Sequence, residues 1–297
     1  AVGAGTGPDI ALSVPMNYPV DFASRKILTA LDEQEGFDSH IAENYYPNAL
    51  KPFVFRGHTY ALAETQEFNM MFCRTDILSQ LGLAVPQTWE ELTDLTAVLA
   101  RNNMQIGISS LTSTSAGVIN TAFPKMVLTL FMQRGTPFYT DDLRSTNLKS
   151  VAAIQSFGQL TDFYTKYGLP IYFDANNRFR TGEMPIIIAP LSTYNTLAIS
   201  APEIAGRWSI DRIPGTVQAD GSINRAGEFT ATGCVMFRSA KDTQACWSFL
   251  KWWTSADTQY RYGMELEAVL GASGRYMTAN RQAFEKLPWD SATAATI

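Results

Sequence analysis

A two-lobed α/β protein is the fold class this sequence predicts, and three features predict it. At 297 residues the chain exceeds one ordinary small domain and suits two. Strand-like and helix-like segments alternate, as a sheet with crossover helices requires. Residues 184–190 form a near-continuous apolar run, the mark of a strand buried on both faces.

The elements follow in chain order. Residues 10–13 read as a short buried strand and residues 18–30 as a helix beneath it. Between Phe53 and Cys73 the pattern is a hairpin-like pair of strands turned at Arg56-Gly57. Pro86 ends an irregular segment. Thr88, with Glu91 three residues on, is then a capping box opening a helix whose apolar stripe is Trp89, Leu92, Leu95, Val98 and Leu99. A strand at 105–110 follows. Helical spacing dominates residues 116–134 and 148–167, with Gly135 and Gly168 where C-terminal caps belong. After the buried 184–190 strand come a helix at 194–204, strands at 208–213 and 235–237, and helices at 243–254, 256–267 and 279–286. On its helix, Trp252-Trp253 with Phe249 reads as packing against the sheet.

Composition narrows the function. With 46% hydrophobic and 17% charged residues, the chain is that of a compact globular protein. A net charge of -5 without a Lys/Arg cluster argues against a nucleic-acid partner and against charge-driven binding to an anionic membrane. No apolar run is long enough to span a bilayer. Cys73, Cys234 and Cys246 are too few for a disulfide framework and read as small buried hydrophobes, which leaves the compartment open. His40 and His58 lie in unrelated contexts, so a histidine metal cluster or Ser-His-Asp arrangement has few ways to form. Cys-x-x-Cys and phosphate-cradling motifs are absent, and Asp141-Asp142 lacks the spacing of a calcium loop. No cofactor, metal or catalytic residue is expected.

The most informative stretch is Tyr60-Ala61-Leu62-Ala63-Glu64-Thr65-Gln66-Glu67-Phe68-Asn69-Met70-Met71-Phe72, continued by Arg74-Thr75-Asp76-Ile77-Leu78, Leu81-Gly82-Leu83 and Pro86-Gln87-Thr88-Trp89-Glu90-Glu91-Leu92. A second block is Phe179-Arg180-Thr181-Gly182-Glu183-Met184-Pro185-Ile186-Ile187-Ile188-Ala189, a Gly-Glu turn feeding a hydrophobic strand, and Pro8-Asp9-Ile10 matches an early strand. Together they resemble the bacterial extracellular solute-binding proteins of family 1, the maltose-binding-protein-like receptors that deliver sugars to ABC importers. The resemblance covers nearly the whole chain. It implies a periplasmic-binding-protein-like fold with hinge crossings and an interlobe cleft, and a binding protein rather than an enzyme. Two departures stand out: Cys73 occupies a position where relatives often carry Tyr, and the family's first strand-helix unit is not seen ahead of Pro8. Because a βαβ unit needs about 30 or more residues, the sequence is expected to be a fragment of a longer secreted protein.

On this resemblance, residues 1–112 form the first part of the N-terminal lobe, 113–230 the C-terminal lobe, and 231–297 cross back with helices shared between lobes. Crossings are expected at 109–113 and 229–233, both rich in Ser, Thr and Gly. A sugar presents an apolar ring face bordered by hydroxyls, so its site needs aromatic platforms, carboxylates, amides and Arg. Tyr194 follows the buried strand at the carboxyl end where open α/β sheets bind ligands, and the family commonly stacks an aromatic there; Ser192 and Asn195 are its neighbours. Glu67 stands where the family often places a polar residue reaching hydroxyls, with Gln66 and Phe68 beside it. Ser13, Asn17 and Tyr18 match the family's first ligand-contacting turn loosely. Glu228 and Phe229 lie at a crossing, and Arg275 follows Gly271-Ala272-Ser273-Gly274, a flexible loop suited to carrying a guanidinium to the cleft.

The expected ligand is a carbohydrate, an oligosaccharide, and the partner a membrane ABC permease. The protein is expected to be a monomer, extracellular or periplasmic, anchored as a lipoprotein through a segment outside this chain. A glycoside hydrolase is the second class: Glu64 with Glu67, or Glu265 with Glu267, supplies paired carboxylates, yet no acid sits in a motif that would raise its pKa. A sensor or interaction module on the same fold is the third.

Overall fold

The computed structural model describes residues 7–108, 122–142 and 144–296. Its strands are β1 (Ile10–Pro15), β2 (Val54–Phe55), β3 (His58–Thr59), β4 (Leu62–Cys73), β5 (Ile106–Ile108), β6 (Ile186–Pro190), β7 (Ser209–Asp211), β8 (Thr216–Val217), β9 (Ile223–Asn224) and β10 (Phe229–Met236). The chain forms two compact units. Unit 1 comprises Ala1–Glu67 and Phe229–Trp289, and unit 2 comprises Phe68–Glu228 and Asp290–Ile297. The chain thus passes from one unit to the other inside β4, again where β10 begins, and a third time after Trp289.

In unit 1, β10 runs antiparallel to β1, with Ile10 opposite Met236 and Val14 opposite Gly233, and the first half of β4 lies on its other side. Leu31, Phe53, Leu62, Val235 and Leu250 are buried in the core between these strands and their helices. Gly233 is required by close approach: a Cβ there would lie 3.0 Å from the Ala61 Cβ and 3.1 Å from the Leu62 carbonyl oxygen. Residues 229–233, expected as a crossing, start at the unit boundary and form one strand with the expected 235–237 segment. Their small side chains serve strand packing. Arg56 and Gly57 do form the turn between β2 and β3, both with positive φ, as a two-residue hairpin needs. The paired strands are only two residues each, and the apolar run beyond them is the separate 12-residue β4.

Two helical expectations in unit 1 change. The first helix covers only Tyr18–Ser24, because Lys26 turns left-handed at φ 58° and Leu28 then pairs with Phe237. The helix Phe37–Asn44, which the pattern does not reveal, buries little beyond its terminal residues Phe37 and Asn44. The later helices are Thr243–Trp253, Ala256–Leu270 and Arg281–Glu285, and Gly271–Gly274 is a 3-10 turn rather than a free loop.

In unit 2 the second half of β4 pairs with β6 on one side and β7 on the other, both antiparallel, and β5 adds to β6 in parallel. Ile186, Ile187 and Ile188 are buried, as expected for a central strand. The Thr88 capping box is present: the hydroxyl accepts from the Glu91 N–H at 3.2 Å, and the Glu91 carboxylate accepts from the Thr88 N–H at 3.4 Å. The helix it opens, Trp89–Arg101, buries Trp89, Leu92 and Leu99 against Leu130, Leu160 and Phe163 of the helices Ala122–Gln133 and Val151–Thr165. Gly135 and Gly168 both adopt positive φ after these helices. The expected 194–204 helix is Thr193–Ser200 followed by a 3-10 turn at Pro202–Ile204, since proline cannot donate the next helical bond. The expected crossing at 109–113 and the start of the 116–134 helix lie outside the described residues.

Candidate functional site

The unit 1 candidates gather along β1 and β4. Ser13 is exposed and left-handed at φ 53°, where the β1 register shifts between Ala11 and Val14. Its N–H donates to Glu64 Oε2 at 2.5 Å and its hydroxyl to Oε1 at 3.4 Å. Asn17 and Tyr18 are exposed at the start of the Tyr18–Ser24 helix, and the Tyr18 ring stacks on Phe22. Gln66 and Glu67 are half-buried near the end of β4 in this unit, and the Gln66 N–H donates to the Met277 carbonyl at 2.9 Å. Phe229 is half-buried and packs on the unit 1 core.

Arg275 follows a 3-10 turn, not a flexible loop. Its guanidinium is clamped by Glu267, with Nη2 to Oε1 at 2.6 Å and Nε to Oε2 at 3.1 Å, and lies over the Trp289 ring. The short turn before it carries it to a packed ion pair.

Glu64 and Trp253 join the unit 1 group, and Trp253 packs in part on the unit 1 core, as expected. Glu64 is 2% exposed and also accepts from Trp253 Nε1 at 3.0 Å. Trp253 meets Tyr262 edge-on at 5.0 Å, and Tyr262 meets Tyr276 likewise at 5.0 Å. Burial, with Glu64 adding to it, raises the Tyr276 phenol pKa. The expectation that Phe249 and Trp252 pack in the core fails. The helix buries Trp247 and Leu250, which leaves Phe249 and Trp252 on another face, the latter 56% exposed. The periodicity 247, 250 was the available signal.

In unit 2, β4–β6 pairing brings Phe68 beside the turn that follows β6, where the Leu191 N–H donates to the Phe68 carbonyl at 2.9 Å. Ser192 caps the next helix by position, its carbonyl accepting from the Asn195 N–H. The Tyr194 hydroxyl donates to Asp290 Oδ2 at 3.0 Å, and its ring meets Trp208 edge-on at 5.6 Å. Asn195 is buried. The Glu228 N–H donates to Thr129 Oγ1 at 3.3 Å. Asp290 and Trp208, which hold Tyr194, are distant in sequence from it and carry no local motif. Among the described residues no group of His, Cys, Asp and Glu is arranged to hold a metal, and no helix is long and apolar enough to cross a membrane.

A family model for bacterial extracellular solute-binding proteins matches residues 1–273. The chain belongs to this family. Solute-binding proteins are receptors rather than enzymes, and the extracellular assignment follows from membership. No curated protein matches the sequence. Among solved structures, the sugar-binding protein MalE of Xanthomonas citri is similar at TM-score 0.78 and 18% identity, over 99% of this chain and 71% of that one. The GacH receptor of Streptomyces glaucescens, solved unliganded and with acarbose, is similar at TM-score 0.69 and 17% identity, over 97% and 69%. A solute-binding protein of Thermotoga lettingae bound to α-D-tagatose gives TM-score 0.66 and 20% identity, over 95% and 70%. At such identities these likenesses establish the fold, a mixed α/β periplasmic-binding architecture. Within this solute-binding protein, the polar candidates that are exposed or half-buried as whole residues are Ser13, Asn17, Tyr18, Gln66, Glu67, Ser192, Tyr194, Glu228 and Arg275.

Proposed function

We propose that this protein captures a carbohydrate, an oligosaccharide, and delivers it to an ABC-type importer. The observation that carries the reading is that fold neighbours spanning nearly the whole chain are receptors solved with tagatose or acarbose. The chemistry of the candidate residues agrees: they comprise carboxylates, amides and hydroxyls together with two tyrosines and two phenylalanines, the mixture a sugar's hydroxyl edge and apolar face require. Ser13, Asn17, Tyr18, Gln66, Glu67 and Phe229 in unit 1, with Phe68, Ser192, Tyr194, Asn195 and Glu228 in unit 2, are the proposed contacts. Arg275 is retained as structural support through its Glu267 pair. The membrane partner is the permease, and the receptor acts as a lipid-anchored monomer.

A thermal-shift screen against mono- and oligosaccharides tests this. A sugar held well above its Kd stabilises the folded state by about 2–4 kcal/mol, and the same sugar is recovered intact. Absence of any shift in folded protein, or release of reducing ends from the oligosaccharides, sinks the reading.

A further inference from the structure

Three hydrogen-bond donors converge on one buried carboxylate in unit 1. Oε2 of Glu64 receives the Ser13 N–H at 2.5 Å, while Oε1 receives the Ser13 hydroxyl at 3.4 Å and the Trp253 indole N–H at 3.0 Å. None of the ion pairs among the described residues includes Glu64. Its task is therefore to accept hydrogen bonds. A carboxylate is acceptor-only, whereas a glutamine of the same shape must turn an NH2 toward one of these donors. With its carbonyl at the Oε2 position the Ser13 bond survives and Trp253 faces a donor; the opposite orientation reverses the loss.

The place held is a strained one. Ser13 carries a Cβ yet sits at φ 53°, where the β1 register slips, and such conformations persist only where the surroundings over-determine them. Glu64 provides that constraint from a different strand, 51 residues away. Through the same carboxylate it contacts Trp253, a ring in the series that continues through Tyr262 to Tyr276. One side chain thus ties a polar turn to an aromatic wall.

We propose that Glu64 is a positioning residue of the sugar site: it sets the Ser13 backbone and the Trp253 ring in the geometry in which ligand is bound. The proposal rests on the carbohydrate reading above. Ligand contact belongs to Ser13, and Glu64 acts through it.

The experiment is calorimetric titration of the wild type, Glu64→Gln, Ser13→Gly and the double variant with maltose, maltotriose, tagatose and acarbose. Circular dichroism melts establish that each is folded. Loss of the positioning bond weakens sugar affinity about tenfold in Glu64→Gln, the scale of a hydrogen bond to a charged group. Glycine adopts the left-handed region without a Cβ penalty, so the loss caused by Glu64→Gln is smaller in the Ser13→Gly background. A purely structural role lowers the melting temperature and leaves the coupling between the two sites at zero. If Glu64→Gln is unfolded, Glu64→Asp carries the test, since its acceptor-only group with shorter reach gives intermediate affinity. Unchanged affinity in the folded variant overturns the positioning role alone, and equal losses in both backgrounds overturn its action through Ser13. A wild type that binds none of the four sugars overturns the carbohydrate reading and the positioning role with it.

Discussion

Arg275, a ligand-binding candidate by sequence, is held in an ion pair. Gly271 to Gly274 read as a flexible carrier, but the segment closes into a 3-10 turn and the guanidinium forks onto Glu267, with side chains 7% and 18% exposed. Arg275→Ala is expected to destabilise by about 3 kcal/mol, because it strands a largely buried carboxylate. Adding Glu267→Ala should recover part of that loss in a urea-denaturation double-mutant cycle; additive losses would show that the pair is not coupled. His40 carries a pH signature. Its ring contacts Thr254 Oγ1 at 2.8 Å, and burial, with Lys251 nearby, lowers its pKa below the ordinary 6.5. The native ring stays neutral where the unfolded one has begun to bind a proton. Stability is thus full above about 6.5 and falls as pH drops from there toward the lowered native value. Replacing His40 by Asn should flatten the pH dependence of the urea midpoint in that window, and an unaltered slope would assign it to other groups.

Among elements, the capping box and glycine-ended helices are legible in the sequence because their signals are local: Thr88, Glu91, Gly135 and Gly168 act on backbone groups within a turn of themselves. Thr88→Ala should cost about 1 kcal/mol of stability, measurable by chemical denaturation. Strand limits were read less well. Residues 229–233 suggest a crossing because they are rich in Thr and Gly, yet they belong to β10, where a Cβ on Gly233 would crowd Ala61 and Leu62 of the neighbouring segment. Gly107 in β5 is the sharper case: a Cβ would lie 2.9 Å from both Ile187 Cγ2 and Phe173 Cε2. Gly107→Ala is expected to destabilise by about 1–3 kcal/mol through overpacking, seen as a lower urea midpoint; an unchanged midpoint would mean that β5 and its neighbours move apart freely.

At the scale of the molecule, each unit contains one deeply buried thiol, Cys234 in unit 1 and Cys73 in unit 2, and burial raises the pKa of both. Cys246 is only half-buried. Native protein at about pH 8 should therefore react with an aromatic disulfide reagent at Cys246 alone, and all three thiols should react after denaturation. Prompt native labelling of Cys73 or Cys234 would show that the core around it opens. The candidate site divides in the same way. Ser13 and Glu67 are candidates from motif position, while the contacts of Glu64, Trp253, Trp208 and Asp290 come only from partners far away in sequence.

By itself, the sequence determined the α/β class, the helix caps, the buried central strand and the solute-binding family, because periodicity, turn chemistry and motif order are written in short segments. Tertiary structure alone decided that Arg275 pairs with Glu267, that Trp252 is exposed while Trp253 binds Glu64, and that Ser13 is held left-handed. Each depends on donors and acceptors brought together by strand pairing and helix packing, and no local pattern encodes those distances.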